Sequence, residues 1–573
     1  MNLRRAALMA SAVVVALATL PAQAASRASA PAIDVRDLRE WLTYIASDDL
    51  QGRAVFSAGL GLAASYIETH LREWGVKPAG DGGSYLQTVR VVGVKATSHS
   101  SVTVEVGGEK RTFADGDGIR FPKNLGAKQQ RTLNRVEFVG YGLDVPFVGH
   151  EDYRGKDVSG AAVIWLGAAG PSTLDSSRIR LLNNRNRYAT DDRQAAAVIG
   201  AGPAPRAGRG PANAQAAAAA AQAGRGGQNA VPDFTTTERL DHLLPPNATG
   251  NDAFFEFLFS RAPVKYAELK KMADEKEPLP SFRLDGVRLT FDINNDYEPI
   301  RTQLTQNVVG VIEGSDAQLK STYVAVGAHY DHIGYADGEL IKGPEGTRRA
   351  GAPGVVTKGA EDDRIWNGAD DDGSGTVTLM AMARAFAQGP RPKRSLLFVW
   401  HAGEERGRWG SLYYVDHPTV DLDRVVAQLN VDMIGRNRDD KASEANSIYL
   451  VGSDRISTEL DTIAQAANQS LRKPLTLDYE LNDPSDPESV YTRSDHYSYA
   501  MKGIPIIFFT DALHPDYHAN TDEVSKIEFD KMARIGDLIY ATASRLANLD
   551  HAPVRDRQGP RQGKSAGVLS TTR

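Results

Sequence analysis

Short apolar runs and longer segments of helical periodicity alternate along the second half of the chain. The apolar runs have the length of strands, and they lie at residues 308–312, 323–326, 396–400, 429–431 and 506–509. Between several of them, apolar positions recur at helical spacing over 375–388, 456–471 and 525–549. Buried strands that alternate with helices predict an α/β domain over 285–549, with a mixed, largely parallel sheet and helices on both of its faces.

The first half of the chain has a different pattern. Residues 34–75 show helical spacing, whereas apolar and polar residues alternate over 102–106 and short apolar runs recur over 135–167, which predicts strands. Residues 201–231 are rich in Ala, Gly, Pro, Arg and Gln, a composition that cannot bury a core, so we predict a disordered loop there. The polar, basic end, 550–573, predicts a disordered tail.

The N-terminus has the pattern of a secretory signal peptide. Arg4 and Arg5 are followed by an apolar run over 6–20 and by Ala22-Gln23-Ala24, which fits an A-x-A cleavage site. The apolar run is short for a membrane span, although an uncleaved anchor is the alternative. We therefore expect removal of residues 1–24, export to the periplasm or the outside, and no stable membrane insertion after cleavage.

Composition narrows the chemistry. The net charge of −6 argues against nucleic acid as a partner. The chain has no cysteine, so disulfides, thiolate catalysis and cysteine-based zinc sites are excluded. Any metal must then be held by His, Asp and Glu.

Polar residues follow four of the predicted strands directly. His329 and Asp331 come after one strand, Glu404 and Glu405 after the next, Asp432 after a third, and a loop with His514 and His518 after the last. A fifth contribution is the glycine-flanked run Asp370-Asp371-Asp372, which leads into the predicted helix 375–388. Each feature alone fits a solvated turn or a surface pair. Because ligands bind at the carboxyl ends of strands in such sheets, their coincidence predicts a metal site.

These residue types suit a pair of zinc ions. Two zinc ions bridged by one carboxylate draw on imidazole and carboxylate ligands, share a water and polarise a carbonyl. A carboxylate that is not a ligand must then carry the proton, and adjacent Glu404 and Glu405 can divide these two tasks. Asp331, two residues after His329, can receive the second N–H of that imidazole.

The order and spacing of these motifs resemble the co-catalytic zinc aminopeptidase and glutamate carboxypeptidase family, which includes bacterial leucyl aminopeptidases. The motifs that carry the resemblance are His329-Tyr330-Asp331, the run 368–375, Gly403-Glu404-Glu405, Asn430-Val431-Asp432-Met433, Ser494-Asp495-His496 and Tyr517-His518 with Asn520-Thr521-Asp522. The resemblance covers about 285–545, and residues 46–53 also fit it. It implies the zinc exopeptidase fold, with 25–130 as the N-terminal part of the peptidase domain.

The resemblance also implies a role for each matching residue. It implies two Zn²⁺ per chain, with Asp371 as the bridging ligand, His329 and Asp432 on one ion, and Glu405 and His518 on the other. It further implies Glu404 as the general base, Asp331 as the partner of His329, Tyr491 as a group that polarises the carbonyl, and a cis peptide after Asp371. His514 competes with His518, and the sequence around His518 favours the latter. We expect His332, His401 and His496 not to be ligands.

The middle of the chain resembles an inserted protease-associated domain, mostly β, over 131–284. The residues that carry this resemblance are 138–142, Asp152-Tyr153 and 157–160, and the pattern departs from that domain beyond about residue 170.

The function that these resemblances imply is an exported exopeptidase. We expect an aminopeptidase that releases N-terminal residues from peptide substrates through attack by a metal-bound hydroxide. A carboxypeptidase on the same site is the alternative, because Arg493 or Arg436 could bind a carboxylate whereas Asp483, Asp486 and Glu488 could bind an amine. An inactive binding protein and a one-zinc acyl-transfer enzyme of the same fold are less favoured, because all ligand positions are filled.

Overall fold

The structure is a computed structural model that describes most of the chain. The described residues are 33–146, 149–174, 181–202, 231–237, 240–343, 346–483, 486 and 488–557. The predicted signal peptide, most of the predicted loop 201–231 and residues 558–573 lie outside them. Among the described residues, no helix combines the length and apolar character needed to cross a membrane.

A ten-stranded mixed sheet forms the centre of the molecule. Its strands, in spatial order, are Phe234–Thr236, Leu86–Ser98, Asn295–Ile312, Ser395–His401, Tyr323–His329, Val425–Val431, Ile506–Thr510, Ser447–Val451 and Thr476–Asp478, with Lys77–Pro78 paired to Asn295–Ile312. The four strands from Ser395–His401 to Ile506–Thr510 are mutually parallel. Their carboxyl ends therefore meet at one edge of the sheet. The predicted mixed α/β sheet is confirmed, and its parallel part is this central group.

Helices cover both faces of this sheet because its central strands are apolar on both sides. Along one strand, Leu396 and Phe398 pack into the core on one face, whereas Leu397 and Val399 pack on the other. The first face carries Val35–Ile45, Ala58–Glu73, Gly375–Gln388, Thr458–Gln469 and Phe529–Asn548. The second carries Trp409–Asp416 and His496–Ala500.

Two further sheets build a second unit from the middle of the chain. One has the order Ser281–Arg283, Val136–Val139, Ala162–Trp165, Ala197–Ala201, Asn247–Gly250 and Ile119–Arg120, and the other has the order Glu109–Ala114, Ser101–Val106, Val287–Ile293 and Gln129–Leu133. They share a core with the helices Asp252–Leu258 and Tyr266–Asp274. Val287–Ile293, which follows residue 284, pairs with Ser101–Val106, which precedes residue 131, and with Gln129–Leu133. The sheets of this unit therefore extend beyond the predicted boundaries at 131 and 284. Its identity as a protease-associated domain stays a prediction.

Smaller elements complete the described fold. Gly334–Tyr335 pairs with Ile365–Trp366, Asp144–Val145 pairs with His150–Glu151, and Leu340–Gly343, Gly346–Arg349 and Val355–Val356 form a three-stranded sheet. The disorder predicted for 550–573 does not extend to residues 550–557. The Asp556 carboxylate accepts from the Thr458 amide (2.9 Å), and the Arg557 amide donates to the Ile456 carbonyl (3.1 Å), which ties this stretch to the start of Thr458–Gln469.

Arg53 joins the N-terminal segment to the edge of the sheet where the parallel strands end. Its buried guanidinium donates to the backbone carbonyls of Ile45, Tyr330, Asn367 and Gly368 at 2.6–3.0 Å. Burial lowers its pKa to about 10, and four nearby aspartates partly oppose this shift. The side chain thus stays cationic at neutral pH and fixes the start of the aspartate loop.

Candidate metal centre

The three adjacent aspartates in the loop 368–375 have different contacts. The Asp372 carboxylate accepts from the backbone amides of His329, Gly375 and Met433 at 2.9–3.2 Å. The Asp370 carboxylate accepts from the Gly435 amide at 2.6 Å and lies 3.2 Å from His514. Backbone donors therefore hold these two carboxylates in structural roles, which leaves Asp371 to face the site.

The backbone of this loop is fixed from the opposite side. The Asp522 carboxylate accepts from the amides of Asp370 and Asp371 at 3.0–3.1 Å. The peptide bond between Asp371 and Asp372 is cis, as the resemblance implied.

His329, Asp371 and Asp432 form a first buried group at the carboxyl ends of two parallel strands. His329 Nε2 lies 3.2 Å from Asp371 Oδ1 and 3.6 Å from Asp432 Oδ1. These ligand atoms are close enough to one another to hold one metal ion. The Ser494 hydroxyl donates to Asp432 Oδ2 at 2.6 Å and thereby fixes its orientation.

Asp331 links the first group to Glu404. Its backbone carbonyl lies 3.1 Å from His329 Nδ1, closer than its carboxylate at 3.7 Å. That carboxylate instead accepts from the Glu404 amide at 3.1 Å. Asp331 therefore contacts both the imidazole and the turn that carries Glu404, and its role as the partner of His329 stays a prediction.

A second group shares Asp371 and centres on Glu405. His518 Nε2 lies 3.2 Å from Asp371 Oδ2 and 3.0 Å from Glu405 Oε2. His332, which we expected to be a non-ligand, lies 2.7 Å from Glu405 Oε1 through Nδ1 and forms a possible ligand group with Asp371 and Glu405. The structure therefore offers two imidazoles here. Its position three residues after His329 was the only sequence signal for His332.

Glu405 and His518 carry opposite charges in this region. Burial and Asp371 raise the pKa of Glu405, but the imidazoles of His518 and His332 outweigh them and bring it to about 2. Burial lowers the pKa of His518, but Glu405 and Asp371 raise it to about 11. The Glu405 carboxylate is thus ionised at neutral pH and is a ligand suited to a cation.

Glu404 stands apart from both groups. It is half-buried, and burial raises its pKa well above the usual range, with Asp432, Asp495 and Glu405 adding to that shift. Neither group of possible ligands includes it. A carboxyl group of raised pKa beside a metal site is suited to accept and return a proton.

A cavity of about 240 Å³ opens onto Asp371, Glu404, Asp432 and His518. Its apolar lining includes Met433, Leu481, Val490, Phe508 and Leu513, and its polar lining includes Glu488, Arg493 and Tyr517.

Two tyrosines differ in their relation to this cavity. Tyr517 lines it, stacks on His518 with ring centroids 3.9 Å apart, and accepts a hydrogen bond from Arg493 at 3.0 Å. Tyr491 is not among the lining residues. It packs against Tyr497, and its buried hydroxyl has no hydrogen-bond partner among the described residues. The resemblance implied a role for Tyr491, whereas the tyrosine that lines the cavity is Tyr517, which directly precedes a predicted ligand.

The other histidines lie away from the two groups, as expected. His401 contacts the Tyr499 hydroxyl (3.3 Å), and His496 contacts the Tyr491 carbonyl (2.8 Å). Burial lowers the pKa of each to about 3. His514 pairs with Asp370, so it does not compete with His518 for the site.

The residues present fit a pair of divalent cations. His329 Nε2, His332 Nδ1, Asp371 Oδ2 and Glu405 Oε1 are buried and lie 2.7–3.2 Å from other candidate ligands, but none of them forms a hydrogen bond within the described part of the chain. Buried polar atoms are normally satisfied, so a set of them that converges on one carboxylate indicates a ligand that supplies the missing interactions. Imidazole and carboxylate together are zinc ligands.

Comparisons with known proteins agree with this chemistry. Residues 307–543 match the family model described as peptidase family M28. This part of the chain is similar to M28 peptidases, and we refer to residues 307–543 as the M28 domain. The predicted family is therefore confirmed, and the M28 domain contains every residue of the two groups.

Individual relatives match over the same region. The chain is 30% identical over 250 residues to a probable leucine aminopeptidase of Trichophyton verrucosum, covering 42% of this chain and 57% of that one. It is 25% identical over 258 residues to aminopeptidase YwaD of Bacillus subtilis, covering 44% and 47%. The chain thus spans about half the length of these relatives. A solved zinc aminopeptidase from Bacillus subtilis aligns with a TM-score of 0.40 at 16% identity, covering 90% of this chain and 95% of that one.

We expect Asp371→Asn to abolish binding of both metal ions, because Asp371 is the one carboxylate that the two groups share. Metal analysis of the purified protein after dialysis against zinc should show about two zinc ions per chain for the wild type and less than one for the variant. Asp439→Asn is the matched control, because Asp439 lines the same cavity but pairs with Lys441 at 2.8 Å. Equal zinc content in wild type and Asp371→Asn would contradict the shared-ligand arrangement.

Proposed function

We propose that this protein is an exported di-zinc aminopeptidase that hydrolyses the first peptide bond of peptides with a free N-terminus. The observation that carries the proposal is the pair of ligand groups that share Asp371, with Glu404 beside them on the same cavity. The M28 family and the two aminopeptidases among its relatives support the reaction class.

In this proposal His329, Asp371 and Asp432 hold one zinc ion, and Asp371, Glu405 and His518 hold the other. His332 is a further candidate ligand of the second ion. When bound, such a pair supplies Lewis acidity at the peptide carbonyl and lowers the pKa of water.

Glu404 carries the proton in this proposal. Its carboxylate takes a proton from the attacking water and returns it to the amine that leaves as the peptide bond breaks. Its raised pKa favours the uptake of that proton, because a carboxylate of ordinary acidity would hold the proton too weakly. The amide contact with Asp331 keeps the turn that carries Glu404 in place.

Tyr517 is suited to bind the carbonyl oxygen of the scissile bond. Arg493 donates to the oxygen of its hydroxyl, so the hydroxyl proton is left free to point into the cavity. Burial raises the pKa of Tyr517 well above its usual range, and the hydroxyl therefore stays a donor. A donor aimed at developing negative charge lowers the barrier of acyl transfer.

Charge in the cavity favours a substrate amine over a substrate carboxylate. Arg493, which could bind a carboxylate, already pairs with Glu488 at 2.9 Å. Arg438, also in the cavity wall, pairs with Glu480 at 2.8 Å. The acidic lining residues that are not proposed zinc ligands, Glu404, Asp439 and Glu488, outnumber these two arginines. A protonated N-terminus is therefore better accommodated than a C-terminal carboxylate.

Two other residues considered from the sequence are engaged elsewhere. Arg436 is buried and bonds to Asp516 (3.0 Å) and Asp440 (2.7 Å). Asp486 accepts from the backbone amides of Glu488 and Val490. Neither is among the residues that line the cavity.

The apolar part of the cavity wall supports a preference for an apolar first residue. Met433, Leu481, Val490, Phe508 and Leu513 line it. Burying an aliphatic side chain against such a wall stabilises the complex by about 1.5–3 kcal/mol.

The experiment that tests the reaction compares two substrates. One is leucyl anilide, which has a free amine, and the other is a set of dipeptides that begin with leucine and have a blocked N-terminus. We expect hydrolysis of the anilide alone, and we expect Glu404→Gln to lower kcat by about 10²–10⁴-fold. Glu404→Gln should retain the zinc content of the wild type, because Glu404 is in neither ligand group.

Hydrolysis of the blocked dipeptides alone would replace the aminopeptidase with a carboxypeptidase on the same site. A wild-type protein inactive on both would favour a binding protein.

The two tyrosines give a second kinetic prediction. Tyr517→Phe removes a hydroxyl that lines the cavity, so we expect kcat on leucyl anilide to fall by about 10²-fold. Tyr491→Phe removes a buried hydroxyl outside the lining, and we expect kcat within about threefold of the wild type. The reverse order of effects would return the carbonyl contact to Tyr491, as the sequence first indicated.

Export is the part of the proposal that rests on sequence alone. Arg4, Arg5, the apolar run 6–20 and the Ala22-Gln23-Ala24 site support it. We expect the full chain expressed in a bacterium to yield a periplasmic or secreted protein that begins at Ala25, by N-terminal sequencing. Ala24→Phe should block cleavage, because the site requires small residues. A cytosolic wild-type protein that retains Met1 would contradict export.

A further inference from the structure

A short segment of the second unit, with the helical turns Arg185–Arg187 and Tyr188–Asp192 between the strands Ala162–Trp165 and Ala197–Ala201, reaches the wall of the substrate cavity. Asn184 Nδ2 donates to the Ser489 hydroxyl at 2.5 Å, and the Tyr497 hydroxyl donates to Asp191 Oδ2 at 3.1 Å. The contacting residues are 305 and 306 positions apart in the chain, so these bonds join the second unit to the M28 domain.

The wall that this segment contacts is a sharp turn. Asp486 holds the inner side of the turn, because its carboxylate accepts from the amides of Glu488 (3.0 Å) and Val490 (2.9 Å). Ser489, at its tip, has a φ of 52°, a conformation that favours glycine over residues with a side chain. A turn with such a residue needs outside support to keep one conformation.

The same turn supplies the cavity with several of its lining groups. Glu488, Val490, Arg493 and Ser494 line the cavity, and Arg493 holds Tyr517. Ser494, at the end of the stretch, donates to the metal-ligand candidate Asp432. A shift of the turn would therefore change the shape of the cavity before it changed the ligand groups.

The side chain of Tyr497 is packed between other side chains. Tyr497 is buried, packs edge-on against Tyr491 with centroids 5.7 Å apart, and lies under the guanidinium of Arg408 at 5.0 Å. Its bond to Asp191 is partly buried, and hydrogen bonds to charged groups are stronger than those between neutral groups. Asn184 and Asp191 thus hold the two ends of the stretch 489–497.

We propose that Asn184 and Asp191 are positioning residues that hold the cavity wall at 488–494 in the form that binds substrate. This inference rests on the proposed aminopeptidase function and gives the second unit a part in it. Neither residue is among the lining residues, so they act through the turn on substrate binding and leave the proton transfer at Glu404 unchanged.

Two readouts test the proposal on the full mature chain. Hydrogen–deuterium exchange of the amides at 488–494 reports the turn without any need for activity. Kinetics with leucyl anilide report the cavity. We expect Asn184→Ala and Asp191→Ala each to speed exchange at 488–494 and to raise KM, both by about fivefold, which corresponds to the loss of one hydrogen bond. We expect kcat to change less than twofold.

Two further variants separate positioning from general damage. Asn184→Asp can accept a hydrogen bond from the Ser489 hydroxyl, so it should restore near wild-type exchange and KM. Arg193→Gln is the matched control, because Arg193 is in the same segment but pairs with Asp144 inside the second unit at 2.6 Å. It should leave both readouts unchanged.

Each alternative result has a distinct meaning. Unchanged exchange at 488–494 in both alanine variants would overturn the positioning role, whatever their activity. Faster exchange with an unchanged KM would overturn the link to substrate binding. If the alanine variants exchange faster but the wild type hydrolyses no peptide, the positioning role is supported and the proposed function is overturned.

Discussion

The concentration of buried carboxylates at one edge of the sheet is the constraint on which the rest of this structure depends. Asp331 and Asp432 follow parallel strands, the loop before Gly375–Gln388 brings Asp370, Asp371 and Asp372 to the same edge, and all five are buried. Ionised groups in such places cost several kcal/mol each unless they are paired. Backbone amides donate hydrogen bonds to Asp370 and Asp372, and the buried Arg53 places a positive charge near this group. The charge left at Asp371 and Asp432 is what a pair of metal ions would balance.

Much of this arrangement could be predicted because it is local in the sequence. Each parallel strand is a short apolar run, and a ligand candidate follows it directly, as His329 does. Sheet topology then brings these ends together without further information. The separate roles of the three aspartates could not be predicted, because they depend on amides such as those of Met433 and Gly435, which are distant in sequence. His332 and Tyr517 were missed since their surroundings are set by the fold.

In the second unit, too, contacts between residues distant in the sequence could not be predicted. Its strands were predictable from alternation, but the pairing of Ser101–Val106 with Val287–Ile293 places residues before and after the predicted insertion in one sheet. The bond from Asn184 to Ser489 also spans most of the chain. Through that contact, a unit without any residue of the two ligand groups supports the turn that shapes the cavity. Substrate selection would then depend on both units, whereas the proposed proton transfer would depend on the M28 domain alone.

The most direct test of the account is anomalous X-ray diffraction at the zinc edge from crystals of the mature chain grown with zinc. We expect two anomalous peaks, each within bonding distance of a different oxygen of Asp371, one beside His329 and Asp432 and the other beside Glu405. The second peak would also decide between His518 and His332 as the imidazole ligand. A single peak, or zinc bound only away from Asp371, would contradict the claim that the strand ends form one shared metal centre.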